Sequence, residues 1–310
     1  MAKPISDIRF ARFITAALFI AVAAGSWDAW WHTSVGRETF FEPPHLLLYA
    51  AVIAAIAAGV IGWYQRREEV WRRIALVLLV IPFSAPLDEL WHRAFGVENI
   101  GSPLVIWSPP HLLLIFSIIA GFMVVLPRLE ADRLGRQFFG TLAFAGVGVL
   151  LFLVATPFYP LAPYHLIGSW GAVFTSAVFI ASLLVAQSWL RGFAPAVSVA
   201  VFFTLLNVMQ YHFTNNTLIA VPFHAHPPVW LAVFSFLVPA VLLDLGRKLP
   251  GDVRGAAAGA ALGAILFGAV SFFDPEFPLS LPAVIAAIAA STAGGVIGGL
   301  VQPLLRRSSQ

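Results

Sequence analysis

Asp28-Ala29-Trp30-Trp31-His32 closes one long apolar run, and Pro43-Pro44-His45-Leu46-Leu47-Leu48 opens the next. The same text returns 60 residues on, as Asp88-Glu89-Leu90-Trp91-His92 followed by Pro109-Pro110-His111-Leu112-Leu113-Leu114. Both copies read D-x2-W-H-x3-G-x-E, then a spacer, then P-P-H-L-L-L, with Gly36 and Glu38 in the first and Gly96 and Glu98 in the second. The spacer holds four residues in the first copy and ten in the second. Apolar runs resemble one another by chance. Shared Asp, His, Glu and Pro do not arise that way, because those residues are costly in an apolar chain. Each copy is therefore a helical hairpin with carboxylate and imidazole at its turn.

The rest of the chain fits that unit. Of its 310 residues 60% are hydrophobic and 11% charged, and the mean hydropathy is +0.88, far from a soluble domain. Apolar stretches long enough to cross about 30 Å of hydrocarbon recur throughout. Ten are predicted, over 12–31, 45–64, 73–92, 111–127, 138–156, 166–189, 195–212, 228–245, 255–273 and 281–303. The expected fold is all-α: a polytopic integral-membrane helical bundle, because open backbone is not tolerated in lipid. It forms a single transmembrane domain over 1–310. The internal repeat covers 12–64 and 73–127, weaker hairpins cover 138–189 and 195–245, and a Gly/Ala-rich hairpin covers 255–303.

Charge orients this bundle. Of the 18 Lys and Arg, 16 fall at the termini or in alternate loops, leaving Arg37 and Arg93 on the other side. The positive-inside rule then places both termini in the cytoplasm of a bacterial-type inner membrane, with the repeated motif on the outer, periplasmic face. That face carries Asp28, Glu38, Glu42, Asp88, Glu89, Glu98, Asp274 and Glu276, an acidic surface that attracts cations. The basic pI belongs to the cytoplasmic belt and does not indicate nucleic acid. The opening residues have the pattern of a secretory signal but are read as an uncleaved first span. Cysteine is absent, so disulfides, cysteine–zinc and iron–sulfur sites are excluded.

All eight histidines (His32, His45, His92, His111, His165, His212, His224 and His226) fall at outer ends of spans or in outer loops. Asp28 and His32 stand four apart on one helical face, as do Asp88 and His92. The Pro-Pro pair suits a helix start, where a missing N–H costs nothing, and puts His45 or His111 in the first turn. A helix N-terminus disfavours imidazolium, which keeps these rings neutral and able to bind metal. Asp28, His32, His45, Asp88, His92 and His111 are thus candidate metal ligands, with His212, His224 and His226 as a further set. Glu38, Glu42, Glu89 and Glu98 are close enough in sequence to ligate or to orient the imidazoles, and Glu38 and Glu98 are the candidate catalytic bases. A single interfacial His more often caps a helix or holds water, and the Trp residues form mostly an aromatic belt. Two copies of one triad outweigh that reading. His165 alone does not, and Asp274 and Glu276 read as a solvated loop.

Asp28-x3-His32-x12-His45 resembles the copper-binding motif in the C subunit of particulate methane and ammonia monooxygenases, the copper membrane monooxygenase family. The resemblance implies copper held by Asp28, His32 and His45 near the outer membrane face, and the internal repeat extends this to Asp88, His92 and His111. The family's neighbouring site uses Asn and two His; His212 and His226 have a similar separation here, but Val208 stands four before His212 and the nearest Asn is Asn207. The likeness ends at this short motif. The duplication is not a feature of that subunit, and the other subunits are not represented in this chain.

The expected function is copper-dependent oxidation of a small apolar or lipid substrate by a monooxygenase-like membrane oxidoreductase, with zinc or iron as alternative metals. A zinc hydrolase with a site resembling the integral-membrane ceramidases is the alternative, the metal acidifying a bound water beside a carboxylate base. A metal transporter or other non-catalytic binder is a third class. Against it, the cytoplasmic halves of the spans hold almost no polar ligands. Haem between facing histidines is a further possibility. A retinal Schiff base is excluded, since Lys3 and Lys248 both lie outside the spans. The expected partners are the bilayer, a second copy of the chain, and a redox partner or further subunits.

Overall fold

The computed structural model describes residues 7–35, 41–96, 104–130, 132–155, 166–211, 229–269 and 281–307. The described residues are helical throughout and include no strand. Nine of the ten ranges read as spans fall on helix wherever their residues are described (156, 212, 228 and 270–273 are not), and the tenth, 73–92, is interrupted. Among the described residues, six segments are long and apolar enough to cross a membrane: Asp7–His32, Pro43–Arg66, Glu69–Phe95, Pro109–Leu129, Gly135–Ala155 and Leu281–Leu300. Val173–Trp189, Pro195–Asn207 and Val233–Leu245 are shorter apolar helices.

The chain divides into two compact units, residues 1–150 and 151–310. The first contains α1 (Asp7–Ser34), α2 (Pro43–Arg66), α3 (Glu69–Leu78), α4 (Ser84–Phe95), the short α5 (Leu104–Trp107), α6 (Pro109–Leu129) and most of α7 (Gly140–Ala155). At 1.5 Å per residue, the 28 residues of α1 extend about 42 Å, more than the hydrocarbon thickness. α1 packs on α2 and α6, α2 on α3, and α6 on both α3 and α4. Pro44, Leu48, Ala51, Val52, Ala55, Ala58, Gly59 and Gly62 form the buried stripe of α2, at the three-and-four spacing of one helical face. Gly62 is required there by a close approach: a methyl on it would stand 2.9 Å from the ring of the fully buried Trp71.

Ion pairs fix the direction of these helices. Asp7 at the start of α1 meets Arg66 at the end of α2, 2.8 Å away, while Asp28 near the end of α1 meets His45 in the first turn of α2. α1 and α2 therefore run antiparallel. Arg12 bonds Asp132, just past α6, and Arg128 lies 3.5 Å from Glu68 between α2 and α3. One end of the unit is thus tied by arginine–carboxylate pairs, and the other carries the duplicated Asp and His. Asp132 also accepts the Gly135 amide, and the Arg12 guanidinium is the chief cause of its carboxyl lying below the ordinary carboxylate value.

The third apolar run, read from sequence as continuous over 73–92, is broken. α3 stops at Leu78, a 3-10 turn covers Ile81–Phe83, and α4 begins at Ser84. Pro82 explains the break: it has no N–H to donate, and its ring clashes with the carbonyl four residues back, that of Leu78. Asp88 and His92 therefore project from a 12-residue helix, whereas Asp28 and His32 sit in the last turns of a 28-residue one.

The second unit contains α8 (Leu166–Trp189), α9 (Pro195–Tyr211), α10 (Val229–Leu245), α11 (Gly251–Gly263, continued by a π-helical turn over Ala264–Ala269) and α12 (Leu281–Arg307). Glycine lets α12 lie against two neighbours: a methyl on Gly295 would strike the Gly255 carbonyl of α11, and one on Gly294 the Val173 carbonyl of α8. Arg254, placed by sequence in a basic cytoplasmic loop, is buried in α11 and donates to Gln187. Gln187 in turn donates 2.9 Å to Asp244, whose carboxylate accepts the Ala196 and Val197 amides at the start of α9.

Candidate metal centre

Helix geometry assembles the first copy. Asp28 and His32 are one turn apart on α1, and Pro43 and Pro44 start α2 so that His45 occupies its third position. One carboxylate oxygen takes both rings: Asp28 Oδ1 lies 3.3 Å from His32 Nε2 and 3.1 Å from His45 Nε2. The ring centroids of His32 and His45 are 5.7 Å apart. Glu42 joins them from the residue before Pro43, its Oε2 3.9 Å from His32 Nδ1, and its side chain is 3% exposed. Each of Asp28, His32, Glu42 and His45 offers a ligand atom within 4.8 Å of the other three. Among the described residues, no other group of three or more His, Asp or Glu gathers so closely.

The second copy repeats the plan more loosely. Asp88 Oδ1 is 3.2 Å from His111 Nε2, while Asp88 Oδ2 is 3.5 Å from His92 Nδ1. The two rings thus use different carboxylate oxygens and are 6.3 Å apart. Gly96 of the shared motif has a plain reason to be glycine. It ends α4 at φ +82°, a conformation other residues resist, and its amide donates 2.9 Å to the His92 carbonyl. An apolar recess beside this copy is lined by Leu87, Leu90, Trp91, Phe95, Pro109 and Pro110.

The first copy fits a first-row transition metal. Donors held about 2.0–2.1 Å from one tetrahedral ion stand about 3.3–3.4 Å apart. The two nitrogen–oxygen separations of 3.3 and 3.1 Å come close to this. Two imidazoles, one or two carboxylates and no sulfur suit copper, zinc or iron rather than a purely oxygen-loving ion.

The structure therefore brings together Asp28, His32 and His45, and separately Asp88, His92 and His111. Glu38 and Glu98, the candidate bases, lie outside the described residues, as do His165, His212, His224, His226, Asp274 and Glu276. Glu89 does not join the second copy; it pairs with Arg93 at 2.8 Å on an exposed face of α4. Glu42 is the member that sequence comparison underrated. It falls in the spacer, where the two copies differ, yet it immediately precedes Pro-Pro-His.

No family model, curated protein or solved structure matches the chain.

Proposed function

We propose that this is an integral-membrane metalloprotein that holds copper at the first copy and oxidises a small apolar or lipid substrate there. The convergence of two Nε2 atoms on one oxygen of Asp28, with Glu42 buried behind His32, is the observation that carries the reading. Asp28, His32 and His45 would hold the ion, and Glu42 would steady the His32 ring. Bound copper would supply oxygen activation, chemistry that imidazole and carboxylate cannot perform themselves. In the last turns of α1, Trp31 packs edge to face with both Trp27 and Trp30.

The same reading takes the ten apolar stretches as spans in five hairpins, with both termini cytoplasmic and the metal at the periplasmic face. Arginine gathered at the opposite end of the first unit supports that orientation through the positive-inside rule. A zinc hydrolase is the second reading, and the burial of Glu42 favours it, since such an enzyme needs a carboxylate base beside its metal. Elemental analysis of protein purified without added metal or chelator tests both. Copper with substrate-dependent oxygen consumption supports the first, and zinc with hydrolysis in the absence of oxygen supports the second. A preparation containing neither metal overturns both.

A further inference from the structure

We infer that Glu42 sets the two copies apart. It makes the first a two-carboxylate site that loads tightly with a divalent transition-metal ion, while Ser108 leaves the second a one-carboxylate site that loads only at higher free metal. This rests on the metal reading of the His/Asp cluster and adds to it a residue that fixes affinity.

The two residues hold the same structural position. Each immediately precedes a Pro-Pro-His helix start: Glu42 has φ −66°, ψ 152°, and Ser108 has φ −59°, ψ 144°. Each carbonyl accepts the first helical amide, from Leu46 at 2.9 Å and from Leu112 at 3.0 Å. With the backbones alike, the side chain is what differs.

An acidic residue in this position ordinarily folds back to cap the second or third amide of its helix. Pro43 and Pro44 have no N–H to offer, and Glu42 makes no side-chain capping bond. Its carboxylate lies instead 3.9 Å from His32 Nδ1, within the four-residue group. At 3.9 Å this is beyond hydrogen-bond length, but a negative charge beside the far nitrogen of a ligating imidazole favours the proton on that nitrogen. It leaves Nε2, the atom that faces Asp28, to the metal. Asp28 and Glu42 together also match the charge of a divalent ion.

Ser108 supplies neither effect. It is fully buried, its hydroxyl has no hydrogen-bond partner among the described residues, and its side chain is uncharged and two atoms shorter than glutamate. Among the described residues of that copy, Asp88 is the carboxylate beside the two rings, and its two oxygens are divided between them.

The test is equilibrium dialysis of the purified full chain in lipid nanodiscs against chelator-buffered Cu²⁺, and separately Zn²⁺, with bound metal measured by mass spectrometry. The wild type should load in two steps. Glu42→Gln and Glu42→Ser should weaken the first step about 10- to 100-fold, the usual effect of losing an imidazole-orienting carboxylate. Ser108→Glu should strengthen the second step and draw the two together. Glu42→Asp should recover part of the first step, which a mere packing defect would not. If Asp28→Ala abolishes the first step while both Glu42→Gln and Glu42→Ser leave it unchanged, the inference fails and the metal reading stands. If the wild type takes up neither ion, the metal reading fails and the inference with it.

Discussion

Asp28→Asn is the sharpest perturbation of this site, because an amide keeps the shape and one oxygen acceptor while removing the charge. In the structure a single oxygen of Asp28 lies 3.1 and 3.3 Å from two imidazole nitrogens. It is a proposed metal donor that both histidines of the first copy share. A charged partner contributes about 1.5–3 kcal/mol, against about 1 kcal/mol for a neutral one. At 1.4 kcal/mol per factor of ten, the difference of about 0.5–2 kcal/mol corresponds to about 2- to 30-fold weaker metal retention. Loading by a chelator-buffered metal series in nanodiscs measures this, with far-ultraviolet circular dichroism to show that the helices persist. Asp88→Asn in the looser copy should leave the tighter binding step in place. A correctly folded Asp28→Asn protein with wild-type retention would refute the reasoning, since a hydrogen-bonding role alone survives the change to an amide.

Three further outcomes follow from the same structure. Protons and metal compete for the imidazole lone pairs, so metal binding should weaken as pH falls, and binding in acidic buffer should liberate protons detectable with an indicator dye. Asp132 titrates below its ordinary 3.8 because of Arg12. The tie therefore contributes stability that is fully present above that value and is lost as pH falls through the lower folded-state one, and thermal melts of Asp132→Asn should lack this acid-side loss. Asp244→Ala removes the acceptor for two α9 amides and for Gln187, and should cost about 1–3 kcal/mol in denaturant titrations.

Much of this was legible in the sequence because the strongest signals are local. Hydropathy located the helices, and helical spacing placed Asp28 beside His32 and Asp88 beside His92. Pro43-Pro44 and Pro109-Pro110 marked helix starts that the structure reproduces at those residues. The break at Leu79–Phe83 was missed because hydropathy does not register what Pro82 does to a backbone. Arg254 was misplaced for the opposite reason: a cation was taken as a loop marker when a partner, Gln187, allows its burial. Glu42 was underrated by the comparison that found the site. Aligning two copies draws attention to what they share, and Glu42 against Ser108 is where they part.

The distribution of charge in the first unit bears on the metal proposed for its first copy. Its described arginine–carboxylate pairs lie at the end opposite Asp28, with Arg93 and Glu89 the exposed exception. Arg12 is sixteen residues from Asp28 along α1, about 24 Å of helix, too far to offset its charge. On the proposed reading, the charges of Asp28 and the buried Glu42 would be met locally, by protons on the rings or by an ion among the four. Protonation would give two cationic rings with centroids 5.7 Å apart, one in the first turn of α2 where the helix dipole disfavours positive charge. A single divalent ion avoids both penalties. On the proposed reading, the placement of His45 at a helix start, rather than the number of histidines, favours metal over a proton-sharing network.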